Sequence, residues 1–154
     1  AVLQEVVNAE QLWQQSAVAD GSPKTQATAM ARVWPQIRLA TLRSTGLVQV
    51  ARMQTTLTNL QEAQRQAAAL IERAQKEKRT TASAESLYAA FKQSVQNAIT
   101  QTDTARHVYT SMADSAQAEA AYASGQALLS EAGKSTRTGQ AQLNLLIQAL
   151  QAAH

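Results

Sequence analysis

The sequence predicts an all-α fold: an elongated antiparallel bundle of about three long helices, with a small helical appendage between the first and the second. Three observations carry this. The 154 residues contain only five glycines and two prolines, and apolar residues make up 45% while aromatics make up 4%. Alanine, glutamine, serine and threonine dominate, which favours helices over a β-rich core. The stretch from Gly46 to Arg79 holds no proline and no further glycine. Within it Val50, Met53, Leu57, Leu60, Gln64, Ala67, Ile71 and Ala74 recur at steps of three and four, which places them on one helical stripe. A helix of about 33 residues runs roughly 50 Å at ~1.5 Å per residue. A stripe of that length needs partner helices. One domain, 1–154, accommodates all of this, with the appendage at 20–46.

Taken in order, residues 1–19 read as a first helix. Leu3, Val6 or Val7, Glu10, Trp13 and Ala17 give a mixed stripe, with Trp13 in the core. Asp20-Gly21-Ser22-Pro23 stops it. Residues 24–45 are less regular. Ala27 to Trp34 makes two turns, Pro35 ends or kinks that helix, and Ser44-Thr45-Gly46 is a second break. Trp34 has two readings: a plug sealing the appendage onto the bundle, or an exposed aromatic anchor for a partner.

The long helix follows and ends in the polar run 76–83. Ser83 is the expected N-cap of the next helix, with Glu85 in its first turn. Leu87, Phe91, Val95, Ala98, Thr102, Ala105, Tyr109, Met112, Ala116 and Ala120 continue at helical spacing. The short link makes the two long helices an antiparallel hairpin. Thr100 to Thr104 is polar on several faces and narrows the core. Gly125, Gly133 and Gly139 leave two readings open. The helix ends near Gly133 before a last one from Gln140 to Ala153, or it runs on at ~1 kcal/mol per glycine. Leu143, Leu146, Ile147 and Leu150 form the last stripe.

Several function classes find no support. The absence of cysteine excludes zinc fingers and a disulfide framework. No stretch approaches ~20 apolar residues, so no membrane span is expected. No signal-peptide pattern opens the chain. The net charge is +3. Arg73, Lys76, Lys78 and Arg79 alternate with Glu72 and Glu77, as at a solvated helix end, and no aromatics interleave for base stacking. Nucleic acid is therefore not an expected partner. Gly133-Lys134-Ser135 resembles the end of a phosphate loop, but Leu128 stands where that loop needs glycine. His107 has Asp103 four residues before it and no further ligand at metal spacing, and His154 is terminal. Glu5, Glu10 and Glu62 are isolated along helices. The expectation is no enzyme, no metal and no cofactor.

One segment carries a resemblance. Ala123-Ser124-Gly125-Gln126-Ala127-Leu128-Leu129-Ser130-Glu131-Ala132-Gly133-Lys134-Ser135, continued by Gln140-Ala141-Gln142-Leu143, resembles the C-terminal signature of the TrbJ family, minor pilus subunits of conjugative type IV secretion systems. Gly125, Ala132, Gly133, Gln140, Ala141 and Gln142 stand at matching positions. Ser135-Thr136-Arg137 departs from the family's glutamine and two leucines. The resemblance implies a structural and adhesive subunit, exported to the periplasm and the cell-surface pilus, acting in pilus assembly and at its tip. It implies other secretion-system subunits and the major pilin as partners, and a homo-oligomer, a small ring such as a pentamer. The family brings no catalytic residues. Trp34, Leu128 and Leu129 are the candidate partner contacts. A cytoplasmic helical adaptor or chaperone gripping a partner helix is the alternative from residue patterns alone.

Overall fold

The computed structural model describes residues 23–152, with Val7, Gln11 and Gln14 before them. Apart from those three residues, the helix expected over 1–19, with Trp13, lies outside the described residues, as do the Asp20-Gly21-Ser22 turn and His154. Three helices follow: α1 from Pro23 to Lys76, α2 from Ala82 to Thr110 and α3 from Ala118 to Ala152. No strand occurs among the described residues.

Helix α1 opens on Pro23, at a position where the missing N–H removes no helical bond. It runs without interruption through Pro35 and Gly46, so neither expected break of the 20–46 appendage ends it. Pro35 removes one backbone bond, at a cost of about 3 kcal/mol or more. Packing of Ala29, Val33 and Ala40, all buried on either side of it, holds the helix together. At Gly46 the missing side chain makes room for a neighbour: a Cβ there would overlap the Tyr109 ring.

The helix stops in a Schellman motif, in which Arg79 N donates to Ala74 O at 3.0 Å and Lys78 N to Gln75 O at 2.9 Å. Lys78 takes the left-handed position, φ 57°, that glycine would fill without strain. Thr81, not Ser83, then caps α2. Its carbonyl accepts Glu85 N at 2.9 Å, and its hydroxyl donates to Glu85 Oε1 at 2.6 Å. Ser83 lies one residue inside the helix and is exposed.

The helical spacing through Ala116 and Ala120 does not survive. Helix α2 ends at Thr110, where the Thr110 and Ser111 hydroxyls donate back to the carbonyls of Arg106 and Val108. Asp114 then forms a turn of its own, accepting Ala116 N on its carboxylate at 2.8 Å and Gln117 N on its carbonyl at 3.3 Å. Such local bonds compete with helix continuation. Of the two readings of the C-terminal glycines, the continuous one holds, since α3 runs through Gly125, Gly133 and Gly139.

The chain divides into two compact units. One comprises residues 1–48 and 106–126, the other 49–105 and 127–154. In the second unit Ile71 and Ala74 of α1 cluster with Ala84 of α2 and with Leu146 and Leu150 of α3. Leu60 clusters with Phe91 and Val95, and Leu57 with Ala98 and Ala132. Sequence numbers rise along α1 and α3 while falling along α2, so α2 is antiparallel to both. Phe91 and Leu146 are fully buried, which contributes about 1.5–3 kcal/mol each. Thr102 is itself buried, its hydroxyl donating to the Ala98 carbonyl at 2.7 Å.

The first unit is packed around Tyr109. Its ring is fully buried and fills gaps left by Gly46 and Gly125. Tyr122 stands 5.9 Å away, centroid to centroid, tilted by 47°. Gln126 donates its amide to the Tyr109 hydroxyl at 3.0 Å. Burial pushes the Tyr109 phenol up from 10.0, against the smaller opposing effect of that bond.

Candidate interaction surfaces

The first unit exposes an apolar stripe. Met30, Trp34, Ile37, Thr41 and Val48 follow at steps of four, three, four and seven, one face of α1 at ~3.6 residues per turn. Trp34 is 59% exposed, and Met30 and Val48 are 52% exposed. Thr41 turns its hydroxyl onto the Ile37 carbonyl at 2.8 Å, which hides much of its polarity. Trp34 is thus exposed and is no plug. The reason is local. Val33 and Ala40 hold the buried side of α1, and Trp34 falls one residue off it.

The leucine pair divides. Leu128 is half-buried. Leu129 is a core residue, 8% exposed and three positions before the fully buried Ala132 on the same face. The residues behind the resemblance otherwise work in packing. Gly125 admits the Tyr109 ring, and a Cβ at Gly133 would lie 3.9 Å from Met53 Cε. Gln142 accepts the Ser94 hydroxyl at 2.8 Å, and Ser135 donates to Gln101 at 3.1 Å, tying α3 to α2. Gly133-Lys134-Ser135 is helical, and Lys134 pairs with Glu131 at 2.6 Å, so no phosphate cradle forms. His107 lies in the last turn of α2. Among the described residues, no group of three or more His, Cys, Asp or Glu could hold a metal ion. No helix among them is long and apolar enough to cross a membrane.

The second unit holds a surface that the sequence stripe misses. Where the C-terminal turns of α1 and α3 run side by side, Leu70, Ala74, Ile147 and Leu150 line a groove of about 410 Å³. Leu70 is 49% exposed and Ile147 40%, although the sequence places Ile147 on the core stripe. Leu146 takes the inward position, which turns its neighbour toward solvent. Arg73, Glu77 and Arg79 stand at the rim. Arg73 donates to Glu77 at 3.0 Å and Arg79 approaches the same carboxylate at 3.4 Å; these two bonds, Arg73 first, hold Glu77 below the usual carboxylate range. Arg79 also donates to the Leu150 carbonyl, fixing one wall of the groove. The groove between α1 and α2 is more polar: Gln61, Gln64, Arg65, Lys92 and Gln96 line it together with Val95 and Ile99.

No family model, curated protein or solved structure matches the chain. The functional argument therefore rests on these surfaces. Each unit carries large apolar side chains on its exterior.

Proposed function

We propose that the chain is a structural and adhesive minor subunit of a conjugative type IV secretion pilus, exported to the periplasm and carried to the cell surface. In this reading it acts through helix surfaces: it binds other secretion-system subunits, the major pilin and further copies of itself. The single observation that supports it best is the exposed stripe centred on Trp34. A large exposed aromatic among Met30, Ile37 and Val48, with the ion-paired Arg38 one turn on, suits a central anchor at a protein interface. The TrbJ-like segment adds the kind of assembly in which such an anchor would serve.

The test is genetic and biochemical. Deleting the gene is expected to abolish pilus formation and conjugative transfer, and complementation with Trp34→Ala to restore transfer at least tenfold less well than the wild-type gene. That variant should fold with its stability changed by no more than about 0.5 kcal/mol, because the side chain is a surface one. Normal transfer in the deletion strain, or a protein confined to the cytoplasmic fraction, would overturn the proposal and favour an adaptor.

A further inference from the structure

We propose that two copies of the chain exchange α3: residues 111–117 become helical, α2 and α3 join end to end, and each α3 packs against α1 and α2 of the other copy. The exchange is a property of the chain alone and does not depend on the pilus reading. The two connections between helices differ in how firmly they stop a helix. Residues 77–81 make a committed stop, with Lys78 at a left-handed φ of 57° and Arg79 N donating to Ala74 O at 3.0 Å. Residues Ser111-Met112-Ala113-Asp114-Ser115-Ala116-Gln117 hold no glycine or proline, and none of them has a positive φ. The apolar spacing of α2 runs through them: Tyr109, Met112, Ala116 and Ala120 follow at steps of three, four and four. Local sequence therefore favours helix where the chain turns.

Two side chains hold the turn by acting on one bond. A continuous helix would have Ala116 N donate to Met112 O, four residues back. In the turn Ala116 N donates instead to the Asp114 carboxylate at 2.8 Å, and Met112 O accepts from the Arg43 guanidinium of α1. Each half of the helical bond is thus occupied elsewhere. Releasing both lets that bond form and α2 continue into α3. The exchanged α3 needs no new surface. Leu146 against Ile71 and Ala84, Ser94 to Gln142, and Ser135 to Gln101 are made again between chains. Such exchange is a low-cost route to a dimer, because the closed and exchanged forms differ mainly in the connection.

The chain has no cysteine, so an introduced pair reports on one contact alone. A Cβ at Gly139 would lie 3.5 Å from Ser94 Cβ, a separation that a disulfide spans. The test is Ser94→Cys with Gly139→Cys, refolded over a range of concentrations, oxidised and run on a non-reducing denaturing gel. A closed chain gives a monomer with an internal bridge, and so does a dimer formed by surface contact. An exchanged pair gives a covalent dimer. The expected result is a dimer band that grows with concentration. Adding Asp114→Ala should raise the ratio of dimer to monomer at least tenfold, since two turns are released per dimer. Ala113→Gly with Ser115→Gly should lower it at least tenfold, since glycine disfavours helix in the connection. Circular dichroism should show the Asp114→Ala dimer to be more helical than the monomer. Monomer bands alone at every concentration, in the Asp114→Ala background as well, overturn the exchange, as does a dimer band that neither change in the connection moves.

Discussion

The two compact units make their cores from the same alanine-rich helices by opposite means. Among the described residues, the largest buried side chain of the first is one ring, Tyr109, let in by two glycines. The second spreads its burial over successive clusters, Leu57 with Ala98, Leu60 with Phe91, Ile71 with Leu146, and adds hydroxyl–amide bonds between α2 and α3. A helix rich in alanine brings little area to a core, so that area must come from somewhere specific. Concentrating it makes a core sensitive to the loss of one side chain; distributing it gives one that tolerates single losses.

Substitutions test that contrast. Tyr109→Ala should cost about 3–5 kcal/mol, the upper range for an aromatic deletion. Hydrogen exchange should show amides of 40–48 and 106–110 losing protection well before those of 57–74. Equal loss in both units would dissolve the distinction. Gly125→Ala adds a methyl group into the Tyr109 ring and should cost about 1–3 kcal/mol by overpacking. Gly133→Ala, where the added Cβ meets nothing closer than 3.8 Å, should instead stabilise by up to about 1 kcal/mol. Thermal melts of the two variants should move in opposite directions. Ser94→Ala in the second unit should cost about 1 kcal/mol, since one cross-helix bond is lost and Gln142 is half-buried. A cost above ~3 kcal/mol, the range for an unsatisfied buried group, would mean that this unit too hangs on single contacts.

The smallest effect is a pH effect. The Glu85 carboxylate is held below 4.5, first by the Thr81 hydroxyl and then by the Gln75 amide. A lowered carboxylate contributes stability above its unfolded value and loses it as pH falls through the folded one. Acidification below 4.5 should therefore fray the start of α2 first, seen as faster exchange at the amides of 82–85. The Tyr109 region should be unaffected there.

How far the sequence revealed this arrangement depends on which signals are local. The α1 stripe was legible because its buried members from Val50 to Ala74 repeat for seven turns with no competing pattern. Pro35 and Gly46 misled, since each is a helix breaker by itself and is overruled by partners far along the chain. The end of α2 was hidden for the reverse reason. Ala116 and Ala120 fit the spacing, yet Asp114 supplies nearby bonds that end the pattern. Of the candidate contacts, Trp34 was readable only as one of two options, because which face of a short helical stretch is buried depends on tertiary packing. Leu70 and Ile147 went unseen because each adjoins a core residue, Ile71 and Leu146, and apolar character alone does not say which of two neighbours points inward.

Tyr109 also gives the protein a spectroscopic reporter of its own. The sequence has three tyrosines, and Tyr88 and Tyr122 are only half-buried, so Tyr109 alone is sealed from solvent. In an alkaline absorbance titration the Tyr109 phenolate should appear late, above the ordinary value of 10.0. Because the folded chain holds that proton more tightly than the unfolded one, its stability declines as pH rises above 10.0. That late ionisation is thus an unlabelled optical readout of whether the two glycine gaps are still closed around the ring.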